Sequence, residues 1–145
     1  RGLGDVYKRQ EQPKVAILAA VEEVKPQMQS TIDAAALCKM ADRGQITGAL
    51  LDGPLAFDNA ISQQSADIKH IHSPVTGDVD ILLVPDLEAG NMLGKQLIYL
   101  GEAKAAGIVM GSKVPIVLTS RSDDELDRLY SIALGAYVAQ KRKQA

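Results

Sequence analysis

The feature that most constrains this chain is Val79–Lys95, VDILLVPDLEAGNMLGK. An apolar run, Ile81–Val84, stops at Pro85-Asp86, and a helix-like segment carrying Asn91 and Lys95 follows. That is the signature of a buried strand, a polar loop at its carboxyl end and a helix opening over the loop. Two other stretches share the layout. Ile46–Leu51 ends in Asp52-Gly53-Pro54, and Val114–Leu118 ends in Thr119-Ser120-Arg121. Open parallel sheets bind ligands where such strand ends meet, so the three polar loops are expected to build one site.

The material available for a core agrees. The chain has 145 residues and is 46% hydrophobic but only 3% aromatic, with no Trp. One domain with a core of Ala, Ile, Leu and Val is expected, as in parallel α/β sheets. The formal charge of -2 gives no general affinity for polyanions, so nucleic acid is not an expected partner. A lone cysteine, Cys38, excludes an internal disulfide and suits a reducing cytoplasm. No apolar run approaches the roughly 20 residues that a membrane span needs.

Arg1–Gln10, RGLGDVYKRQ, has no period and no core-like run. It resembles a translated sequencing-adaptor scar and is set apart from the fold, which leaves residues 11–145 as the domain. The natural protein is then expected to continue upstream. Lys14–Val21, KVAILAAV, reads as a strand buried on both faces. Ser30 with Asp33 predicts a capped helix, with Ile32, Ala36 and Met40 as its apolar stripe and Gly44 as its left-handed stop. Cys38 within it reads as a small buried filler rather than a nucleophile. Asp58 and Asn59 face a ligand or cap a short helix from Phe57 to Ile61, capping being favoured. His70 and His72 read as solvated loop residues rather than metal ligands.

The next helix, about Glu88 to Lys104, is expected to pack through Ala89, Leu93, Leu97 and Leu100. Gly90 and Gly94 inside it imply close approach, either of the sheet or of a ligand. Gly107–Gly111 reads as a short strand or a linker. Ser122 with Glu125 predicts a capping box for a final helix whose apolar face is Leu126, Tyr130, Ala133 and Tyr137. The basic run Lys141–Lys143 then complements the helix dipole. The order β-α-β-(short α)-β-α-β-β-α argues a three-layer α/β domain with a mostly parallel sheet.

Arg121 lies just before a helix start. Its guanidinium and the free helix amides can hold a phosphate or carboxylate, although nearby carboxylates compete for the same amides. Ser120 can donate to a developing oxyanion. There is no G-x-S-x-G elbow, P-loop or G-x-G-x-x-G, so a serine hydrolase, a nucleoside triphosphate and a Rossmann-bound dinucleotide are not indicated. The residues alone lead to an anion-handling α/β domain.

Taken together, Ser30–Ser62, Val79–Leu97 and Val114–Asp123 resemble the phosphate acetyl/butyryltransferase family. D-G-P-L-A-F-D-N, P-D-L-E-A-G-N and T-S-R occur in the family's order and spacing, most like its phosphate butyryltransferase branch and the acyltransferase part of hydratase fusions. The resemblance implies the carboxyl-terminal half of a cytoplasmic homodimer with an isocitrate/isopropylmalate dehydrogenase-like fold. It implies transfer of a short acyl group between CoA and inorganic phosphate, with acyl-CoA and phosphate as substrates and neither a metal nor a permanently bound cofactor. It gives Ser120 the oxyanion or leaving thiolate and Arg121 the phosphate or thioester. Asp127 is the candidate base on the CoA thiol, with Asp123 as rival. Asn91 and Lys95 would line the phosphate or acyl pocket, and Asp52, Gly53, Pro54 and Asp58 would form another cleft loop. Two alternatives are a non-catalytic CoA-binding module and an NADP-dependent dehydrogenase of the same fold class.

Overall fold

The computed structural model describes residues 12–144, so the segment Arg1–Gln10 lies outside the described residues. β1 (Lys14–Leu18) is the central strand of a parallel sheet ordered β2-β1-β3, with β2 at Leu50–Leu55 and β3 at Ile81–Leu83. Val15 pairs with Leu51 on one side and with Ile81 on the other. A strand flanked on both edges and covered on both faces has no polar side, which is why KVAIL is apolar without alternation. Val15, Ala16, Ile17 and Leu18 are all buried. Each large side chain among them contributes about 1.5–3 kcal/mol on burial. β1 stops at Leu18, so Ala19–Val21 belong to the following loop and not to the strand.

The chain divides into two compact units, the first ending at Gly90 and the second starting at Asn91. In the first unit, α1 (Gln29–Asp42) connects β1 to β2, and α2 (Phe57–Ile61) and α3 (Gln63–Ile68) lead toward β3. Helix α1 starts one residue before Ser30. Its N-cap is Met28, with no side-chain cap, so the expected capping box does not form. Asp33 instead accepts a bond from the Gln29 side chain at 2.8 Å. Gly44 does end the helix, at φ 71°, and its N–H reaches the Ala41 carbonyl at 2.9 Å.

The inward face of α1 is also not the expected one. Thr31 and Ala34 are buried, whereas Ala36 and Met40 are exposed. The reason is visible at Gly53 of β2. A Cβ built on Gly53 would lie 2.7 Å from the Ile17 carbonyl oxygen and 3.4 Å from the Ala34 methyl. Helix and sheet come together through their smallest residues, and a Met at that crossing would hold them apart. Cys38, on the same side as Ala34, donates its thiol to the Gly53 carbonyl at 3.4 Å. It is half-buried, in agreement with the filler reading.

Strand β2 departs from expectation in extent. It runs through Asp52-Gly53-Pro54 to Leu55, so those residues are in the strand and not in a loop beyond it. The pairing shifts between Ala16, opposite Asp52, and Leu18, opposite Leu55. That irregularity admits Pro54, which lacks a ladder donor and follows a cis peptide bond.

Helix α4 (Leu87–Tyr99) spans the boundary between the units and ends earlier than expected. In the first unit, a Cβ on Gly90 would lie 2.9 Å from Val84 Cγ2, so this glycine serves tight helix–strand packing. Gly94 has nothing within 4 Å of such a Cβ, so no close neighbour accounts for it.

The second unit has its own small sheet. β4 (Ile108–Val109) and β5 (Ile116–Val117) pair antiparallel, Ile108 opposite Val117. The expected buried strand at Val114–Leu118 is therefore a short strand of a two-stranded antiparallel ribbon, with Ile116 and Val117 exposed. α5 (Glu125–Gln144) covers one face of it. The helix does so through Ser131 and Gly135, both buried, and not through Leu126, Tyr130 and Ala133, which are exposed. Ser131 earns its burial twice. Its Oγ accepts the Gly107 N–H at 3.0 Å and donates to the Asp127 carbonyl at 2.8 Å.

Candidate active site

Within the second unit, the end of α4, the segment that follows it, the loop after β5 and the first turn of α5 surround a cleft of about 510 Å³. Ser120, Asp123 and Asp127 line it, and so do Lys95, Tyr99 and Lys104. Four of the sequence-derived site residues are thus brought together. Arg121 is exposed on the same loop but does not line the cleft, and neither does Asn91.

The loop owes its shape to local polar bonds. Ser120 donates its N–H to Asp123 Oδ2 at 2.6 Å, and Asp123 returns its N–H to the Ser120 carbonyl at 3.2 Å. The Ser120 and Ser122 hydroxyl oxygens are 3.0 Å apart. Asp124, and not Ser122, caps α5. Its Oδ1 accepts the Asp127 N–H at 2.8 Å, and its carbonyl accepts the Arg128 N–H at 3.2 Å. Ser122 is drawn to Ser120, so the expected S-x-x-E box gives way to a D-x-x-D start. Asp127, on the first turn of α5, is half-buried, and its Oδ1 accepts the Ala105 N–H at 3.4 Å. Opposite the loop, the Lys95 ammonium lies over the Tyr99 ring, 5.6 Å from its centre.

The cleft carries more negative than positive side chains. Glu102, Asp123, Asp124 and Asp127 face Lys95 and Lys104. The positive side chains that line it, Lys95 and Lys104, are both exposed, and Arg121 stands exposed one residue from Ser120, outside the lining. Tyr99, Glu102 and Lys104 were not legible as site residues. The only hint was the one-turn spacing of Tyr99 from Lys95.

The remaining sequence-derived residues belong to the first unit. Asp52 accepts its neighbour Gly53's N–H at 2.9 Å. Asp58, in the first turn of α2, accepts the Lys69 ammonium at 2.8 Å and also bonds the Ser65 hydroxyl. It is not a cap. The N-cap of α2 is Ala56, without a side-chain bond. Asn59 is not a cap either. It is fully buried and donates its amide to Glu22, whose carboxylate also accepts Lys69 at 2.7 Å. The Asn59 Oδ1 finds no partner among the described residues. Hydrogen bonds from Lys69 and then Ser65 hold the Asp58 carboxyl down to about 2. Glu22 is lowered chiefly by Lys69 as well, and Lys69 is raised in turn by Asp58 and Glu22. This polar knot joins residues 47 positions apart, and no local spacing announces it.

Cys38 is no nucleophile in this setting. Burial, followed by the charges of Asp52 and Asp42, pushes its thiol up to about 11. His70 and His72 are both exposed, as expected for solvated residues. Among the described residues no group of three or more His, Cys, Asp or Glu is placed to hold a metal, and no helix is long and apolar enough to cross a membrane.

Comparison with known proteins gives this geometry a context. A phosphate acetyltransferase of Rhizobium meliloti is 62% identical over 134 residues, covering 92% of this chain and 42% of that protein. A probable phosphate butyryltransferase of Bacillus subtilis is 54% identical over 129 residues, covering 89% of this chain and 43% of the relative. Among solved structures, a branched-chain phosphotransacylase from Enterococcus faecalis V583 superposes with a TM-score of 0.76 at 38% identity, covering 88% of this chain and 46% of that one. The chain therefore spans less than half the length of these relatives. Its α/β fold with a parallel sheet is theirs. The family described as phosphate acetyl/butaryl transferase matches residues 7–136, and this chain belongs to it.

Proposed function

We propose that the full-length protein carrying this sequence transfers a short acyl group between CoA and inorganic phosphate. The observation that carries the proposal is one cleft lined by Ser120, Asp127 and Lys95, with Arg121 on its rim loop. In the forward direction a phosphate oxygen attacks the thioester carbonyl. A carbon–oxygen bond forms, the carbonyl oxygen becomes an oxyanion, and the carbon–sulfur bond then breaks to release CoA thiolate, which takes up a proton. In reverse, the CoA thiol must lose its proton before it attacks the acyl phosphate.

Such a reaction needs charge clamps and an oxyanion donor more than a covalent nucleophile. Arg121 and Lys95 supply positive charge for the phosphate. The Ser120 hydroxyl supplies the donor for the oxyanion or for the leaving thiolate. Asp127 is the base for the thiol. Its carboxylate stands at the cleft wall and, among the described residues, takes only a long bond, 3.4 Å, from the Ala105 N–H. For Asn91, which does not line the cleft, the family resemblance alone suggests contact with the phosphate or acyl group. For Asp52, Gly53, Pro54 and Asp58 the family resemblance suggests substrate contact. Their own bonds favour a framework role for Gly53 and Asp58, because Gly53 is packed on Ile17 and Asp58 is held by Lys69. A cytoplasmic homodimer with a three-layer, isocitrate dehydrogenase-like fold completes the reading.

The test is phosphate-dependent thiol release from acetyl-CoA and butanoyl-CoA by the full-length protein, beside its Arg121→Ala variant. Release that requires phosphate and falls by about a hundredfold or more in the variant is expected. A folded protein that releases no CoA, or releases it without phosphate, overturns the proposal. The two substrates rank the acyl groups.

A further inference from the structure

Asp123, in the loop after β5, and Asp127, on the first turn of α5, line the cleft with Ser120 and are held in different ways. Asp123 is bonded to the serine's own backbone through one carboxylate oxygen and its N–H. Its Oδ2 takes the Ser120 N–H at 2.6 Å, while its N–H goes to the Ser120 carbonyl at 3.2 Å. A turn closed from both sides leaves its first residue little freedom. The short contact is a charge-assisted bond, among the stronger kinds available to a surface loop. The Ser120 hydroxyl is held in turn beside Ser122, 3.0 Å away, and the Ser122 N–H also points to it at 3.4 Å. Among the described residues, the Asp127 carboxylate takes only the 3.4 Å bond from the Ala105 N–H. Taking a proton, even on Oδ1, would remove the negative charge that strengthens the bond to the Ser120 N–H, and would loosen the residue that the chemistry needs in place. Asp127 makes no bond to Ser120 among the described residues.

We propose that Asp123 is a positioning residue that clamps Ser120 at the cleft through the Ser120 N–H, and that it takes no proton in the reaction. The inference rests on the acyl-transfer reading given above. Asn is the informative replacement. It keeps a carbonyl oxygen at the same place to accept the Ser120 N–H, and it has no charge and no basicity. Ala removes the acceptor altogether.

Two measurements test this. In phosphate-dependent CoA release by the full-length protein, D123N is expected to keep at least about a third of the wild-type kcat with a superimposable pH–rate profile. Its KM for phosphate should fall by about two- to fivefold, since one carboxylate of the cleft is gone. D123A is expected to lose kcat by about ten- to a hundredfold while its KM for acyl-CoA stays the same. In hydrogen–deuterium exchange on the full-length protein, the Ser120 amide should be protected in the wild type and in D123N and exchange faster in D123A. D123N as impaired as D123A gives Asp123 a charge or proton role and overturns the inference, as does D123A with wild-type kcat. A folded wild type without phosphate-dependent release overturns acyl transfer itself and the catalytic half of this inference. The exchange measurement still decides whether the clamp exists.

Discussion

The two units of this chain divide their residues differently. The first unit spends its apolar side chains on one sheet. Val15, Ile17, Leu18, Leu55 and Val75 are all buried, and even its polar knot is anchored by a buried Asn59. The second unit buries a serine and a glycine under a two-stranded ribbon and leaves Ile116, Leu118, Leu126 and Leu129 exposed. Its order comes from short polar bonds in loops and at a helix start. Cohesion in the first unit is therefore hydrophobic and cooperative, and in the second it is local and polar. Mutations should sort accordingly: the first unit should answer in stability and the second in chemistry.

The largest expected effect tests the first half of that statement. Ile17→Ala empties a site that is 4% exposed at the centre of the sheet, and should cost about 2–5 kcal/mol. Chemical denaturation would show it as a lower midpoint with unchanged slope. A loss below about 1 kcal/mol would mean that β1 is not the core of this unit. The counterpart in the second unit is Ser120→Ala. Ser120 is exposed, so the midpoint should stay within about 0.5 kcal/mol. CoA release by the full-length protein should nevertheless fall by about a hundredfold. Equal damage to folding by both substitutions would break the comparison.

Gly53→Ala is a smaller and more pointed probe. The added methyl would meet the Ile17 carbonyl at 2.7 Å, so β1, β2 or α1 must shift. Overpacking of this kind costs about 1–3 kcal/mol. A neutral result would show that the helix–sheet approach has slack.

The Lys69 knot offers a pH test of the same unit. The Asp58 carboxyl is lowered from 3.8 to about 2, so its contribution is fully present above pH 4 and is lost as pH falls toward 2. Glu22 is lowered from 4.5 and acts in the same direction. Lys69 is raised above 10.5, so its contribution holds below that pH and disappears as pH rises through the folded value. Lys69→Met should therefore flatten the decline in Tm between pH 4 and 2 relative to wild type. Parallel declines in the two proteins would remove the knot from the account. The pair is solvent-exposed, so the effect is smaller than either packing change.

How much of this was readable beforehand follows from the same physics. β1 was legible because a central parallel strand leaves an unbroken apolar run, and the end of α1 was legible because Gly44 must adopt a positive φ. The phases of α1 and α5 were not. Both helices carry Ala or other small residues on several sides, and close packing selected Ala34 and Gly135 over the larger Met40 and Tyr130. Four polar residues in a row, Ser122–Glu125, contain two equally good caps, and only the pairing of Ser122 with Ser120 decides for Asp124. The knot of Glu22 and Lys69 had no local signal at all, because its members meet only once the sheet has formed. At the candidate site Ser120, Asp123, Asp127 and Lys95 were singled out through family likeness, and the structure places them around one cleft. Lys104 and Tyr99 carry no motif.

The smallest effect is also the most local probe of the helix–sheet contact. Cys38 sits where α1 meets Gly53, and burial raises its thiol from 9.0 to about 11. Only the thiolate reacts with an alkylating reagent. At pH 8 the thiolate fraction, and hence alkylation by iodoacetamide, should be about a hundredfold below that of the unfolded chain. Denaturant should restore the rate. Gly53→Ala separates the two surfaces, so it should raise the folded-state rate well before it unfolds the sheet. Ile17→Ala leaves the Gly53 carbonyl in place and should raise that rate only in proportion to the unfolded fraction. Rapid alkylation of the folded wild type would mean that α1 opens away from β2 on its own. The hydrophobic unit would then be held by its sheet alone, with the helix as a loose cover.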